Sequence, residues 1–277
     1  MSQIKNLFYR GKSNHTNRDK DLSNGGPAMN FLYVIKDKRV KQTLLIVIIS
    51  FFTALLLFTQ NILRIPVFAG KGSPQAIYRG EKGIALTFDI GWGDEKAEPI
   101  VNALIKNKVK AATFFLSGSW AERHPDLVKK IADHGYEIGM LGYNYKDYTA
   151  LKDEEMKREF LKTKEAFKKL QLKDVHLFRP PTGHFDKRVI KIADQFGFTI
   201  VHWSVNSEDW KNPGLDQIVK NVSKAKNGDI ILLHASDSAK QTKKALPLII
   251  EALQEKGKFV TISEMIANGN VDTTLIP

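Results

Sequence analysis

The chain has 277 residues, 43% apolar and 26% charged, so it can bury one large core or two modest ones and is not a disordered protein. It contains no cysteine, which excludes disulfides, a thiol nucleophile and a thiolate metal site. The formal charge of +12 is unevenly placed: residues 1–41 hold nine Lys or Arg against three Asp, Arg64 adds one positive charge, and the other 32 basic and 27 acidic residues leave +5. Half of the excess therefore lies beside an apolar segment, where it favours membrane orientation and argues against a nucleic-acid partner.

Residues 1–41 form a polar and basic N-terminal segment. Its first 28 residues lack usable periodicity, and Met29 reads as a better start, because Gly25 and Gly26 must be encoded by a GGNGGN run where a ribosome-binding site would sit. The expectation is that residues 1–28 are a gene-start artefact. Residues 42–63 are 22 residues without a charge, long enough to span a bilayer as one helix. Lys36, Lys38, Arg39 and Lys41 would keep the N-terminus in the cytoplasm, leaving the rest of the chain outside, single-pass and membrane-bound. Val67-Phe68-Ala69 resembles a signal-peptide cleavage site, but it lies well beyond the apolar core, with Arg64 and Pro66 between. A retained anchor is the reading adopted, with residues 64–81 as linker and approach, 82–268 as the folded domain and 269–277 as a tail.

Within the domain, strands are expected at 83–88, 112–116, 137–141, 176–178, 199–205, 229–233 and 258–260. Helices are expected between them at 97–106, 125–134, 153–170, 187–196, 215–226 and 242–256, with a last one at 263–268. Seven β/α units suggest a closed parallel α/β barrel one unit short of the usual eight, with an open doubly wound sheet as the alternative.

Polar residues recur where these strands end. Asp89 closes the run IALTFD, Arg179 opens RPPTG, Asn206, Asp209 and Trp210 follow in NSEDW, and His234 ends ILLH. Singly, each has a bland account: Asp89 and Asp209 as caps, Arg179 as a surface partner, His234 as a satisfied buried histidine. At one end of one barrel they read better as a single cleft.

TFDIG, RPPTG, NSEDW and LLH resemble, in order and spacing, the motifs of the polysaccharide deacetylases of the NodB-homology family, over about residues 82–268. FDIGWGDEKAEPI, SWAERHPD, IGMLGYNY and LLHASDSAKQT look closest to the family's sporulation members. The resemblance implies a distorted (β/α)7 barrel acting on peptidoglycan or another N-acetylated glycan. It implies Asp89 as general base, Arg179 as the residue that orients it and His234 as general acid. Trp210 and Leu232 would form an apolar wall, and Asp209 and Tyr143 would join them in holding substrate. The family's reaction uses a divalent metal such as zinc or cobalt, held by one Asp and two His.

Those ligands are absent. The second Asp of the family's TFDDG is Ile90 here, and the two histidines are replaced by Leu141 and Tyr145, so no metal cofactor is expected. The Asp that tunes the acid His is expected to be missing as well, because the first position of the DxxDW pattern is Asn206. Asp94, Glu95, His124 and His202 are the available substitutes, and none has the spacing of a ligand pair; His184, near the Arg179 loop, adds little. Three readings remain open: a hydrolase of carbon-nitrogen bonds working by a metal-free acid/base route, a binder that grips sugar through Trp210, Trp203, Trp92 and Tyr143, and a structural membrane protein.

Overall fold

The computed structural model of the protein describes the backbone of residues 38–62 and 76–274, and side chains throughout except at 56–62 and 274. Expectations that fall on residues 1–37, 63–75 and 275–277, among them the start at Met29 and the cleavage site at 67–69, lie outside the described residues. The chain divides into two compact units, Met1–Gly70 and Lys71–Pro277.

The described part of the first unit is one helix, α1 (Lys38–Ile62), of 25 residues. Its large apolar side chains from Val40 to Leu55 are exposed. Among the described residues no helix is long and apolar enough to cross a membrane; the stretch of α1 with described side chains includes Lys38, Arg39 and Lys41.

The second unit runs β1 (Ala76–Gly80), β2 (Ala85–Ile90), α2 (Ala97–Lys106), β3 (Thr113–Leu116), α3 (Gly118–Arg123), α4 (Pro125–Asp133), β4 (Glu137–Met140) and α5 (Asp153–Lys169). It continues with β5 (Leu177–Phe178), α6 (Lys187–Gln195), β6 (Thr199–Val201), β7 (Val205–Asn206), α7 (Leu215–Val222), β8 (Ile230–His234), α8 (Thr242–Gln254), α9 (Ile262–Ala267) and β9 (Val271–Thr274). All nine strands belong to one sheet in the order β7-β8-β2-β3-β4-β5-β6-β1-β9, parallel except for the antiparallel β1/β9 pair.

This is a mixed α/β barrel-like fold, and it departs from the expected seven-stranded barrel in three ways. The expected strand 199–205 is broken at His202–Ser204, so β6 pairs with β5 and β1 while β7 pairs with β8. The expected strand 258–260 is reduced to one bridge, Phe259 to Ile84. The sheet also reaches beyond the expected 82–268 boundaries, through β1 in the supposed linker and β9 in the supposed tail. The break has a physical reason. Freed from the ladder, the Val201 and His202 carbonyls accept hydrogen bonds from the Arg179 guanidinium, at 3.3 Å from Nε and 3.0 Å from Nη2.

Strand alternation sorts the core into two layers. Leu86, Phe88 and Ile90 of β2 point outward and pack with Phe114, Trp120, Phe160 and Phe178 under the helices. Ala85 joins Phe115, Leu141, Leu177, Val201 and Ile230 in a smaller inner cluster closed by Val260, Ile262 and Met265. Gly139 makes room there, since a Cβ at that position would meet the Phe115 ring. The helices follow local rules. Pro125 opens α4 at a position that needs no N–H. α5 begins with Asp153, Glu154 and Glu155 and ends with Lys168 and Lys169, opposing the charge of its own dipole.

Candidate active site

The inner face of β2 turns polar toward its C-terminal end, with Thr87 and then Asp89, both buried. Arg179, directly after β5, is fully buried and fills the space between them. Its Nη1 donates to Asp89 Oδ1 and to Thr87 Oγ1, each at 2.8 Å. Its guanidinium carbon stands 4.1 Å above the centre of the Phe115 ring. Burial pulls the Arg179 pKa below its ordinary value and the Asp89 charge opposes this, so the guanidinium stays protonated. With Thr87, Asp89 and two carbonyls as partners, each of its three nitrogens donates at least one hydrogen bond.

His234 ends β8 and is the ladder partner of Asp89 in the parallel β2/β8 pair. Asp209, in a single 3-10 turn (Asp209–Lys211), holds it twice: Oδ1 accepts from His234 Nδ1 at 2.7 Å and Oδ2 from the His234 backbone N–H at 2.8 Å. Thr242, the first residue of α8, donates its hydroxyl to the same Oδ2 at 2.6 Å. Burial by itself would lower the His234 pKa. The hydrogen bond and charge of Asp209, together with Asp89, outweigh it, and the net shift is upward. Among the described residues Nε2 is left without a protein partner.

Asp209 therefore corrects two sequence expectations. The partner of the acid His is present, and it is Asp209. Asp209 is itself fully buried and saturated by protein donors, so it does not hold substrate. Asn206 has a different part: its Oδ1 accepts from the Glu208 N–H at 2.9 Å, and with Glu208 in the left-handed region (φ 57°) it builds the turn that delivers Asp209. Tyr143 is also corrected. Its ring packs in the outer layer against α3, and its hydroxyl donates to Glu122 at 2.8 Å, away from Asp89 and His234. Leu232, two residues before His234 and so on the same face of β8, is only 3% exposed. Trp210 and Trp92 are the exposed tryptophans, on the loops that follow β7 and β2.

The three positions to which the sequence resemblance assigns metal ligands carry other side chains. Ile90 is fully buried in the outer core and Leu141 in the inner one, and neither carries a donor atom. Tyr145, held in the left-handed region at φ 53°, presses its ring on Gly91. Burial first and the Asp89 charge second push its phenol up to about 12, against a hydrogen bond from the Thr182 backbone, so it stays neutral. This donor set does not fit a divalent cation. The substitutes do not assemble: His124 Nε2 pairs with Asp94 Oδ1 at 2.9 Å, Glu95 pairs with Lys96, and His202 stacks on Trp203. Burial, with the nearby Arg179 charge, lowers His202 to about 4. Among the described residues no group of three or more His, Asp or Glu is placed to hold a metal ion.

Two further carboxylates shape the mouth and gave no sequence signal. Asp237, after β8, accepts the backbone N–H groups of Asp94, Glu95 and Lys96 at 3.0, 3.0 and 2.9 Å, fixing the loop that follows β2. Glu159, buried on α5, accepts from the N–H groups of Tyr143 and Asn144 and so sets the loop that carries Tyr145. Both act across more than a dozen residues of sequence, where no local pattern announces them.

An Arg-held carboxylate beside an Asp-held imidazole, at the C-terminal end of parallel strands, is an acid/base site of hydrolase type. The family model for polysaccharide deacetylases matches residues 77–201. A peptidoglycan-N-acetylglucosamine deacetylase of Bacillus cereus is 40% identical over 191 residues, which are 67% of this chain and 89% of the relative. Among solved structures, BA3943, a CE4 family pseudoenzyme from Bacillus anthracis, is similar with a TM-score of 0.65 and 32% identity, over 73% of this chain and 72% of that one. A family 4 carbohydrate esterase from Streptomyces lividans, in complex with acetate, has a TM-score of 0.62 and 30% identity, over 70% of this chain and 100% of its own. The chain belongs to the polysaccharide deacetylase family.

Proposed function

We propose that the protein is a membrane-anchored member of this family that engages N-acetylated glycan, peptidoglycan above all, at the Asp89/His234 mouth, and that it does so without a metal centre. The observation that carries the proposal is the contrast within one cleft. The proton-transfer groups are complete and cross-braced, while Ile90, Leu141 and Tyr145 supply nothing a cation would bind. The peptidoglycan deacetylase relatives support the glycan class, and the similarity to a pseudoenzyme supports a family member without the usual chemistry.

Magnitudes limit what the site can do. A metal that lowers the pKa of water from about 15.7 to about 7 supplies up to roughly 12 kcal/mol of nucleophile activation. A positioned general base recovers about 10²- to 10⁴-fold, or roughly 3 to 5 kcal/mol. In the proposed role Asp89, fixed by Arg179, takes a proton from water, and His234, carrying its proton on the free Nε2 side, gives one to the leaving amine. Hydrolysis of the acetamide is then slow and insensitive to chelators. The neutral Tyr145 phenol in the mouth favours the second reading, a glycan binder with no turnover.

The membrane anchor is part of the same proposal. α1 is 25 residues long, about 37 Å at 1.5 Å per residue, and its residues 42–62 contain no charge. The basic cluster before it would place the mouth on the extracytoplasmic side, where peptidoglycan lies. A role in sporulation rests on the sequence resemblance alone.

The test is acetate release from peptidoglycan by the full-length chain in the presence of chelator. Slow release that disappears in Asp89→Ala/His234→Ala supports the enzymatic form. Glycan binding without release, lost in Trp210→Ala, supports the binder. The absence of both binding and release would refute the proposal.

A further inference from the structure

The break between β6 and β7 does more than feed carbonyls to Arg179. Where the two pieces part, a cleft of about 600 Å³ opens on the side of the barrel, distinct from the mouth, with Tyr78, Trp203, Asn206, Lys224 and Lys226 among its walls. That volume lies in the range of sites for small ligands.

Charge decides which ligand. The one acid in the cleft, Asp229, is 4% exposed and fully engaged inward: it takes Arg79 Nη2 at 2.9 Å, Ser204 Oγ at 2.7 Å and the Lys226 backbone N–H at 2.6 Å. It therefore neutralises Arg79 and nothing else. Lys224 and Lys226 are exposed, and among the described residues neither has a carboxylate partner and the Asn206 amide nitrogen has no protein partner. The cleft thus carries a net positive charge, an amide donor and an indole wall. A tryptophan face suits the apolar face of a sugar ring, and two cations suit carboxylates.

We propose that this cleft binds an acidic saccharide, a carboxylate-bearing amino sugar, as a second glycan site beside the mouth. The proposal rests on the reading of the protein as a glycan binder. The two sites share a wall: the Trp203 ring stands 5.6 Å from the Arg179 guanidinium and against Gly183 of the same loop. Trp203 thus packs against the loop whose Arg179 holds Asp89.

The experiment is calorimetric titration of the full-length chain with three oligosaccharides: an N-acetylglucosamine–N-acetylmuramic acid tetrasaccharide, its methyl ester, and a neutral N-acetylglucosamine tetrasaccharide. Lys224→Gln/Lys226→Gln, two exposed changes that leave the core alone, should weaken the acidic saccharide about tenfold, in a salt-dependent way, and leave the neutral one unchanged. Trp210→Ala should weaken the neutral oligomer while the lysine-dependent part of acidic binding persists. If the neutral oligomer fails to bind while the acidic one binds through the lysines, the cleft stands and the mouth reading alone falls. Equal affinity for acid and methyl ester, an unchanged affinity in the lysine variant, or no binding of the acidic saccharide would each overturn the proposal.

Discussion

Asp89 and His234 occupy the same rung of the parallel ladder between β2 and β8, so their backbones sit one strand spacing apart, about 4.8 Å. That register is set by the apolar residues beneath them. Leu86 and Phe88 on one strand and Ile231 and Leu233 on the other are buried in the same outer layer, and a one-residue slip of either strand would turn its functional group out of the mouth.

Arg179 should be the most costly single residue to remove. Arg179→Ala leaves the Asp89 carboxylate and two carbonyls buried without their donor, a change expected to cost about 3–5 kcal/mol. Urea unfolding of the domain should show a lower midpoint with an unchanged slope. A midpoint equal to that of the parent would mean that water replaces the guanidinium, contrary to its complete burial.

The Asp209–His234 pair predicts a pH dependence with a definite sign. The folded His234 pKa lies above its ordinary 6.5, so the pair's contribution to stability is fully present below about pH 6.5 and is lost as pH rises through the folded value. In Asp209→Asn only the Asp89 charge still opposes burial and the Arg179 charge, and the His234 pKa should fall. NMR titration of the ring protons checks this; an unchanged value would show that Asp209 does not control the imidazole.

Asp237 predicts the opposite sign. Burial would raise its pKa, but three backbone hydrogen bonds and Lys96 lower it, so its contribution is present above about pH 3.8 and disappears as pH falls through the lower folded value. Asp237→Ala should speed hydrogen exchange at Asp94, Glu95 and Lys96 at neutral pH. Unaltered protection of those amides would remove Asp237 from the account of the mouth.

How far the sequence disclosed all this differs by element. Strand ends were readable because buried parallel strands are continuous apolar runs, which is why Asp89, Arg179 and His234 fall at the mouth. The broken strand 199–205 was not readable: Val201 through Val205 contain no Gly or Pro, and the break is stabilised by Arg179, more than 20 residues away. β1 and β9 are short and pair mainly with each other, so neither stands out alone. In NSEDW, Asp209 stands beside Trp210 and reads with it as a substrate residue; burial and the 2.7 Å contact show that it serves His234 instead. Tyr143 and Tyr145 are two residues apart in a loop where side-chain direction follows φ, and a left-handed Tyr145 cannot be read from GYNY.

The central claim is an acid/base mouth without a metal centre, and metal content tests it most directly. Full-length protein incubated with Zn²⁺ or Co²⁺ and desalted should retain far less than one ion per chain by elemental analysis. The Ile90→Asp/Leu141→His/Tyr145→His variant, which supplies the ligand set that the resemblance implies, should retain about one ion per chain. One tightly held ion in the unaltered chain, removable by chelator with loss of activity, would contradict the account.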